Sequence, residues 1–359
     1  MKSKLLKSQT KSSFITYGIV IVAFMVFHIL ITTGNISSML KGLLVPLCAY
    51  AILSVSLNLT VGILGDLSLG QAGFMCIGAY SGSIFSIVTS EAITVDWVRF
   101  PVALILGGLF ATLFGILIGI PVLRLKGDYL AIVTLAFGEI IKNVFAALYL
   151  GVDSNGIHFS LKSASDLNLN ADGKVIINGA LGINGTPNDS NYIIAFILLL
   201  ITLIIAYNFV NSRTGRAVMA IRDNRIAAES VGINITKYKL ITFALTAFLA
   251  GVAGALYSHN LYSLQASKFD YNTSIQILVF VVLGGMGNIR GSIIATAILY
   301  MLPELLRSIS QYRMLMYAVI LIIMMIATSN PKSKAFIDNI KDSLKEKFKK
   351  KSTKIGEVE

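Results

Sequence analysis

Long apolar runs separated by polar segments repeat along most of the chain. The pattern predicts membrane-spanning runs at 14–33, 43–61, 62–88, 101–123, 129–150, 192–210, 240–261 and 314–328. Most are long enough to cross the hydrocarbon core of a bilayer, which takes about 20 helical residues. Two shorter apolar pieces, 274–283 and 293–302, flank a glycine-rich break, a pattern typical of short or re-entrant helices. The sequence therefore predicts an all-α integral membrane protein, a polytopic helical bundle.

The distribution of charge predicts how this bundle is oriented. The chain has 359 residues, of which 55% are hydrophobic and 13% charged, and its net charge is +12. The basic residues gather at the termini and in the loops between apolar runs. Membrane orientation and anionic lipid account for this charge better than a nucleic-acid partner does. Ten crossings, or eight with two re-entrant segments, satisfy the same charges, and we expect a multi-pass protein of the cytoplasmic membrane with both termini in the cytoplasm.

The polar segments set the boundaries of the predicted parts. These are a basic cytoplasmic N-terminus (1–13), a membrane domain (14–330) with an extracytoplasmic loop (151–191) and a cytoplasmic loop (211–239), and a Lys-rich cytoplasmic tail (331–359). The first loop carries four Asp against two Lys, whereas the second carries six Lys or Arg against two acidic residues. Short basic loops collect on the cytoplasmic side of membranes, which assigns each loop to its side.

The basic loop 211–239 has the pattern of a short helix held between two bodies. A helix over 217–231, turning about 100° per residue, would place four residues on one side: Ala217, Ile221, Ala228 and Val231. Met219 and Ile226 would fall on the opposite side, with Arg222, Arg225 and Glu229 on a flank. Gly232 is placed to end the helix in the left-handed conformation. One side would pack on the bundle and the other on a separate soluble protein; the alternative is a basic loop lying on lipid headgroups.

The run 62–88 is rich in small residues, which indicates a helix buried among other helices. Asp66 is expected to cap this third helix, because an Asp before an apolar run accepts hydrogen bonds from free backbone N–H groups. We predict that three polar residues of the run, Ser68, Gln71 and Ser81, line the translocation path. Gln71 is the candidate that faces a passing solute.

Two glycine-interrupted segments resemble one another. Residues 65–80 and 287–300 both begin with a glycine-punctuated break and continue as a small-residue helix that ends in Tyr. Such breaks at corresponding positions of two halves point to a translocation site between them. Chance similarity in a glycine-rich chain is the alternative.

An ionisable residue, Glu139, lies midway along the fifth apolar run. A charge at the centre of a membrane helix costs at least about 2.5–3.5 kcal/mol, so a functional role is the default hypothesis. Glu139 is predicted to line the translocation path. Alternatively, Glu139 pairs with Lys142 at i, i+3 and faces the bundle interior, or the two residues carry protons or sodium in an ion-coupled secondary transporter.

The sequence lacks motifs for catalysis and for nucleotide binding. No G-x-x-x-x-G-K-[ST] phosphate loop occurs, so the chain is not expected to bind or hydrolyse ATP itself. His28, His158 and His259 are scattered without metal-ligand spacing, and the two cysteines lie in apolar runs far from them. The prediction is a protein that is not an enzyme, with no catalytic residue, metal site or cofactor of its own.

Four blocks of the sequence carry a resemblance to a known family. They are GDLSLGQAGFMCIGAY (65–80), LRLKGDYLAIVTLAFGEI (123–140), the block at 212–258 that begins SRTGRAVMAIRDNRIAAESVG, and VVLGGMGNIRGSIIATAIL (281–299). Together they resemble the permease subunits of bacterial ABC importers for branched-chain amino acids, specifically the longer LivM type. The glycine-rich blocks are shared with related sugar and urea permeases, so urea or another short amide is the alternative substrate.

The resemblance implies an importer that works with other chains. These are a second, related and shorter permease, two cytoplasmic ATPase subunits that bind ATP, and an extracytoplasmic solute-binding protein. ABC permeases carry a coupling helix in a cytoplasmic loop, often written around an E-A-A…G pattern, and the matching residues here run in the order A-A-E. The expected ATPase-coupling residues are Ile221, Arg222, Arg225, Ala227, Ala228, Glu229 and Gly232.

Overall fold

The computed structural model describes residues 2–34, 37–90, 92–93, 95–125, 127–153, 156–170, 173–306 and 312–329. The predicted Lys-rich tail, 331–359, lies outside the described residues. The chain divides after Ile298 into two units. All of the sites described below belong to the first unit.

Twelve α-helices make up most of the described chain. The first six are α1 (Lys2–Thr32), α2 (Ser38–Asn58), α3 (Gln71–Val88), α4 (Asp96–Val122), α5 (Asp128–Ala147) and α6 (Tyr192–Asn211). The remaining six are α7 (Arg213–Asp223), α8 (Arg225–Ser230), α9 (Ile235–Ser258), α10 (Tyr271–Gly284), α11 (Ile289–Leu305) and α12 (Arg313–Ser329).

Seven of the described helices are long and apolar enough to cross a membrane: α1 from Phe14 onward, α2 with its extension to Leu64, α3, α4, α5, α6 and α9. Helices α10, α11 and α12 are apolar but shorter, with 14, 17 and 17 residues. The predicted class, a polytopic helical membrane protein, is confirmed. The choice between ten and eight crossings stays a prediction.

Small residues bring α3, α4 and α9 into close contact at the centre of the bundle. A Cβ atom added to Gly78 of α3 would overlap the carbonyl oxygen of Gly251 in α9. A Cβ added to Gly107 of α4 would lie 2.9 Å from the Gly78 carbonyl oxygen. Helices whose contact faces lack side chains approach closely enough to gain van der Waals contact without lipid between them. Helix α3 is therefore buried among its neighbours, as the sequence predicted.

The boundary between the second and third spans differs from the prediction. Helix α2 continues as a π-helix, Leu59–Leu64, and α3 begins only at Gln71. Gly65 ends the π-helix with φ +82°, a left-handed conformation that favours glycine. The predicted cap at Asp66 is wrong: Gly70 occupies the N-cap position of α3, and Ser274 Oγ of α10 accepts from the Ala72 N–H group in its first turn at 3.1 Å. Asp66 lies too early in the chain because 65–70 is non-helical.

The segment between α5 and α6 contains a small antiparallel sheet that the sequence patterns did not predict. Its strands are β1 (Tyr149–Asp153), β2 (Gly156–Ser160), β3 (Lys174–Asn178), β4 (Ile183–Asn184) and β5 (Ser263–Leu264), in the spatial order β2-β1-β3-β4-β5. Strand β5 follows α9 and pairs with β4. The sheet and the basic loop lie at opposite ends of α6, which is 20 residues or about 30 Å long.

Candidate coupling and translocation site

The basic loop after α6 forms two short helices rather than one. Ser212 begins α7 by accepting a hydrogen bond from the Gly215 N–H group at 3.1 Å. The predicted continuous helix over 217–231 is wrong, because Asn224 is extended (φ −155°, ψ 105°) and separates α7 from α8. The Asn224 side chain accepts from the Ala227 N–H group at 3.0 Å and so begins α8. Gly232 follows α8 with φ +82°, the left-handed conformation predicted for it.

One side of this helix pair packs on the bundle. Ile221 and Ala228 are buried together with Ile235 at the start of α9, as the sequence pattern predicted for the first two. Val231, predicted on the same side, is instead 74% exposed. The break at Asn224 changes the rotation of α8 relative to α7, which moves Val231 out of the buried face.

The other side of the helix pair is exposed. We call the exposed residues Arg225, Ile226, Glu229 and Val231 the coupling surface. Ile226 is 81% exposed and Val231 is 74% exposed, so the coupling surface carries two apolar side chains. Ala227 and Gly232 are exposed beside it. Of the two residues predicted on this side, Ile226 is exposed but Met219 is half-buried, and contact with a second body stays a prediction.

Arg222, another predicted coupling residue, forms hydrogen bonds through its guanidinium to its own chain. Its Nη1 donates to the Gly62 carbonyl oxygen at 3.0 Å, and its Nη2 lies 2.9 Å from Asp223 Oδ1. A Cβ atom added to Gly65 would lie 2.7 Å from Arg222 Cγ. Helix α7 is therefore attached to the π-helical end of α2.

A second attachment is a largely buried ion pair between Asp66 and Lys239. Lys239 Nζ lies 2.8 Å from Asp66 Oδ1 and 2.5 Å from Asp66 Oδ2. The two side chains are only 18% and 8% exposed. Sequence analysis did not identify Lys239 as functional, because the pair joins residues 173 positions apart. A buried charge is tolerated when an oppositely charged group lies in contact with it.

The predicted path residues are brought together only in part. Ser68 is buried, and its hydroxyl has no hydrogen-bond partner among the described residues. Gln71 is also buried, and its Nε2 donates to Ser56 Oγ at 2.6 Å. Ser81 donates within its own helix to the Ile77 carbonyl oxygen at 2.7 Å, about 15 Å along α3 from Gln71. Ser68 and Gln71 thus lie at one end of α3 and Ser81 lies apart from them.

Glu139 forms an ion pair with Lys142, in agreement with the pairing considered for these residues. Its other oxygen, Oε1, accepts from the Tyr271 N–H group at 2.8 Å, in the first turn of α10. A carboxylate near a helix N-terminus is stabilised by the free N–H groups there. The arrangement gives Glu139 a structural role between α5 and α10.

Asp270 begins α10 beside this pair. Burial raises the pKa of Asp270, but hydrogen bonds from Thr273 and Asn272 outweigh that effect and hold the pKa below its usual value. The Asp270 carboxylate is therefore ionised at neutral pH and accepts from the Thr273 N–H group at 3.0 Å. Together, Asp270 and Glu139 accept from two backbone N–H groups at the start of α10.

Asn58 is a further residue that the sequence analysis missed. It is fully buried at the end of α2, and its amide binds the break between α10 and α11. A single Asn in an apolar run is the signal that could have identified it, because an unpaired amide is costly in a membrane span. The break it binds opens the second of the two similar glycine-interrupted segments.

A groove of about 720 Å³ lies at the far end of the bundle, between the N-terminal parts of α4 and α6. Its lining includes the polar residues Asp96, Asp189 and Ser190, and most of the other lining residues are apolar. None of the predicted path residues lines it. Among the residues that the structure describes, no group of three His, Cys, Asp or Glu side chains could hold a metal ion.

Comparison with known proteins relates this geometry to a family. Residues 39–328 match the family model described as "Branched-chain amino acid transport system / permease component". The chain is 34% identical over 288 residues to the high-affinity branched-chain amino acid transport system permease protein LivM of Salmonella typhimurium, and equally to LivM of Escherichia coli. Each alignment covers 77% of this chain and 66% of the relative.

A second kind of permease is also related to this chain. The permease protein LivH of Salmonella typhimurium is 23% identical over 251 residues, covering 70% of this chain and 79% of LivH. No solved structure gives a significant match. The resemblance found in the four sequence blocks is confirmed by the family match over 39–328. This chain belongs to the family of branched-chain amino acid transport system permease components.

Proposed function

We propose that this chain is a membrane-spanning permease subunit of an ATP-driven ABC importer that carries leucine, isoleucine and valine across the cytoplasmic membrane of a bacterium. The observation that carries the proposal is the coupling surface, an exposed face on short helices whose opposite face is packed on the bundle. Family membership and the names of the LivM relatives support the substrate class.

The proposed assembly contains four kinds of chain. Two cytoplasmic ATPase subunits bind ATP and receive the coupling surface. A second, related and shorter permease completes the path; the relationship to LivH supports this partner, since a relative of the same family would present a similar fold. An extracytoplasmic solute-binding protein delivers the amino acid. The chain itself, as a transport subunit, needs no cofactor and is not an enzyme.

The proposed orientation puts the basic loop 211–239, both termini and the 331–359 tail in the cytoplasm. The sheet-containing segment 151–191 is then extracytoplasmic and available to the solute-binding protein. The charge asymmetry between the two loops supports this orientation, because basic residues are retained on the cytoplasmic side.

In the proposed mechanism, ATP binding closes the two ATPase subunits and moves α7 and α8 with them. The membrane helices then change between outward-open and inward-open states. A ligand on another chain thereby shifts the population of two states of this chain, which requires only that it binds them with different free energies. Solute passes near Ser68, Gln71 and Ser81, at a site that binds weakly enough to release it.

Ion coupling is the second candidate mechanism, and the presence of two ionisable residues, Glu139 and Lys142, within a membrane span favours it. The contacts of Glu139, however, argue against it. Glu139 is already in contact with Lys142 and with the Tyr271 N–H group, so a role in ion coupling would have to break these contacts. Urea or another short amide is the alternative substrate within the ABC mechanism.

Transport by the reconstituted importer tests the proposal. The permease, its partner permease and the ATPases are placed in liposomes with the solute-binding protein outside and ATP inside. We expect ATP-dependent uptake of labelled leucine, competed by isoleucine and valine but not by urea. Uptake driven by an ion gradient without ATP, or uptake of urea alone, would contradict the proposal.

Charge reversal on the coupling surface tests its role in this assay. Arg225→Glu combined with Glu229→Arg should abolish leucine uptake while the permease is still inserted, because both charges meet the partner. Lys237→Glu is the matched control, as Lys237 is exposed at the same end but outside the coupling surface. Uptake that survives the double reversal would argue against the coupling role.

A further inference from the structure

We propose that residues 59–70, which we call the transmission segment, carry the movement of α7 to the start of α3, and that Asp66, Lys239 and Arg222 are the positioning residues for this step. The inference rests on the proposed function and deepens it, because it says how the coupling surface acts on the path. The segment consists of the π-helix Leu59–Leu64 and the non-helical stretch 65–70.

The first connection runs from α7 to the π-helix. Arg222 is the penultimate residue of α7, and its guanidinium reaches back across the loop to donate to the Gly62 carbonyl oxygen at 3.0 Å. The aliphatic part of the same side chain packs against Gly65, where a Cβ atom would lie 2.7 Å from Arg222 Cγ. A displacement of α7 therefore acts directly on 62–65.

The second connection runs from α9 to Asp66. Lys239 lies in the second turn of α9, and its ammonium group contacts both carboxylate oxygens of Asp66. The pair is largely shielded from solvent, where electrostatic attraction is stronger than in bulk water. Helix α9 packs closely on α3 and α4 at the centre of the bundle. The ion pair therefore fixes the position of Asp66 relative to this packed centre.

A third connection joins the segment to the break between α10 and α11. Asn58, immediately before the π-helix, accepts from the Gly287 N–H group and donates to Ser292 Oγ. Gly62 lies against Gly287 so closely that a Cβ on Gly62 would overlap the Gly287 backbone. The glycine break of one half is thereby held against the end of α2.

The far end of the transmission segment reaches the predicted path. The Leu69 N–H group donates to Thr134 Oγ1 at 2.9 Å, and a Cβ on Gly70 would lie 2.8 Å from the Thr134 carbonyl oxygen. Gln71, the next residue, is bound to Ser56. The buried hydroxyl of Ser68 lies within this stretch and has no hydrogen-bond partner among the described residues.

These contacts give the transmission segment two kinds of anchor. Arg222 belongs to the helices that a partner would move, whereas Lys239 and Thr134 belong to long membrane helices. The π-helix is an uncommon backbone geometry that recurs at functional sites. A shift of α7 then changes the position of 62–66 relative to α9, and with it the position of Ser68 and Gln71.

The test compares uptake with ATP hydrolysis in the reconstituted importer described above. The variants are Asp66→Asn, Arg222→Gln and the exchanged pair Asp66→Lys with Lys239→Asp. We expect the ATPase subunits to co-purify with every variant and to hydrolyse ATP, but leucine uptake per ATP should fall about 5- to 150-fold in the two single variants, the usual range of coupling between sites. The exchanged pair should recover a large part of the loss.

Asp96→Asn is the control, because Asp96 also forms an ion pair, with Arg99, but far from the transmission segment and outside 151–191. Its uptake per ATP should stay at the wild-type value. The inference is overturned if Arg222→Gln and Asp66→Asn both retain the wild-type ratio, or if the control loses it equally. If Asp66→Asn does not assemble, the comparison of Arg222→Gln with the control decides the outcome. Failure of the wild-type importer to take up leucine with ATP would instead overturn the proposed function.

Discussion

Asn58 Oδ1 accepts a hydrogen bond from the Gly287 N–H group at 2.7 Å, across 229 positions of the sequence. The other end of the same amide, Nδ2, donates to Ser292 Oγ at 2.7 Å. One buried side chain thus satisfies a backbone donor exposed by the glycine break and a hydroxyl on α11. The contact holds the break between α10 and α11 against the end of α2.

Asn58→Ala should destabilise the permease by leaving the Gly287 N–H group without an acceptor. A buried donor without a partner costs about 1–3 kcal/mol of folding free energy. SDS-induced unfolding of the purified protein measures this change. Asn211→Ala is the control, because Asn211 is exposed and donates only to Tyr207 within its own helix. Equal effects of the two substitutions would contradict the role given to Asn58.

Gly78→Ala should disrupt the packing of α3 on α9. The added methyl group would overlap the Gly251 carbonyl oxygen, and overpacking of a close contact costs about 1–3 kcal/mol or more. The expected result is a lower unfolding midpoint and a lower yield of folded protein. Gly42→Ala in α2 is the matched control, since nothing lies within 4 Å of a Cβ there. A Gly78 variant as stable as the Gly42 variant would show that α3 and α9 can move apart to accommodate the methyl group without a loss of stability.

Ile226→Asp should prevent the ATPase subunits from binding without affecting the fold. Ile226 is 81% exposed, so its replacement removes no internal packing, whereas a charged group at an apolar contact weakens binding by about 2 kcal/mol or more. Co-purification with the ATPase subunits is the measurement. Leu161→Asp, at a position 65% exposed beyond the opposite end of α6, should leave binding unchanged. Binding that tolerates Ile226→Asp would exclude this residue from the interface.

His259 should make the stability of the permease dependent on pH. Burial lowers the pKa of His259, and the Ala255 carbonyl oxygen and Asp189 offset this only in part; Arg99 lowers it further. The imidazole is within 2.7 Å of Ser86 Oγ and packs on Phe100. Below the ordinary pKa of about 6.5 the unfolded chain takes up a proton that the folded chain does not.

Stability should therefore fall as the pH is lowered through about 6.5, and level off below the folded-state pKa of His259. Unfolding midpoints measured between pH 8 and pH 5, values chosen to bracket about 6.5, test this. His259→Gln should reduce the slope, because it removes the group whose pKa is lowered by burial. A slope that persists in His259→Gln would assign the dependence to other groups.

The apolar pattern predicted the membrane helices because each depends mainly on residues close in sequence. The length and apolarity of the runs predicted helices α1, α2, α4, α5, α6 and α9. The small residues of α3 predicted that this helix is buried. The break at Asn224 was not predicted, because an Asn is tolerated inside a helix and its capping contact with Ala227 is visible only in three dimensions.

Contacts between distant residues limited what could be predicted about the site. Asp66 was expected to cap a helix nearby, but its partner Lys239 comes from α9. Strand β5 pairs with β4 at the edge of the sheet, although it lies about eighty residues later in the chain. Its two residues are too few to show the alternating pattern of a strand. The exposure of Ile226 was predicted correctly, because the side of a helix on which a residue lies follows from local periodicity alone.

The central claim, that a cytoplasmic ATPase holds the coupling surface, can be tested by labelling Ile226→Cys in membranes. The two native cysteines, Cys48 and Cys76, are buried, so a membrane-impermeant maleimide should react with the introduced thiol alone. We expect labelling in inverted vesicles stripped of the ATPase subunits, protection when those subunits are restored, and no labelling from outside intact cells. Labelling from outside intact cells, or no protection by the ATPase subunits in an importer that transports leucine, would contradict the account.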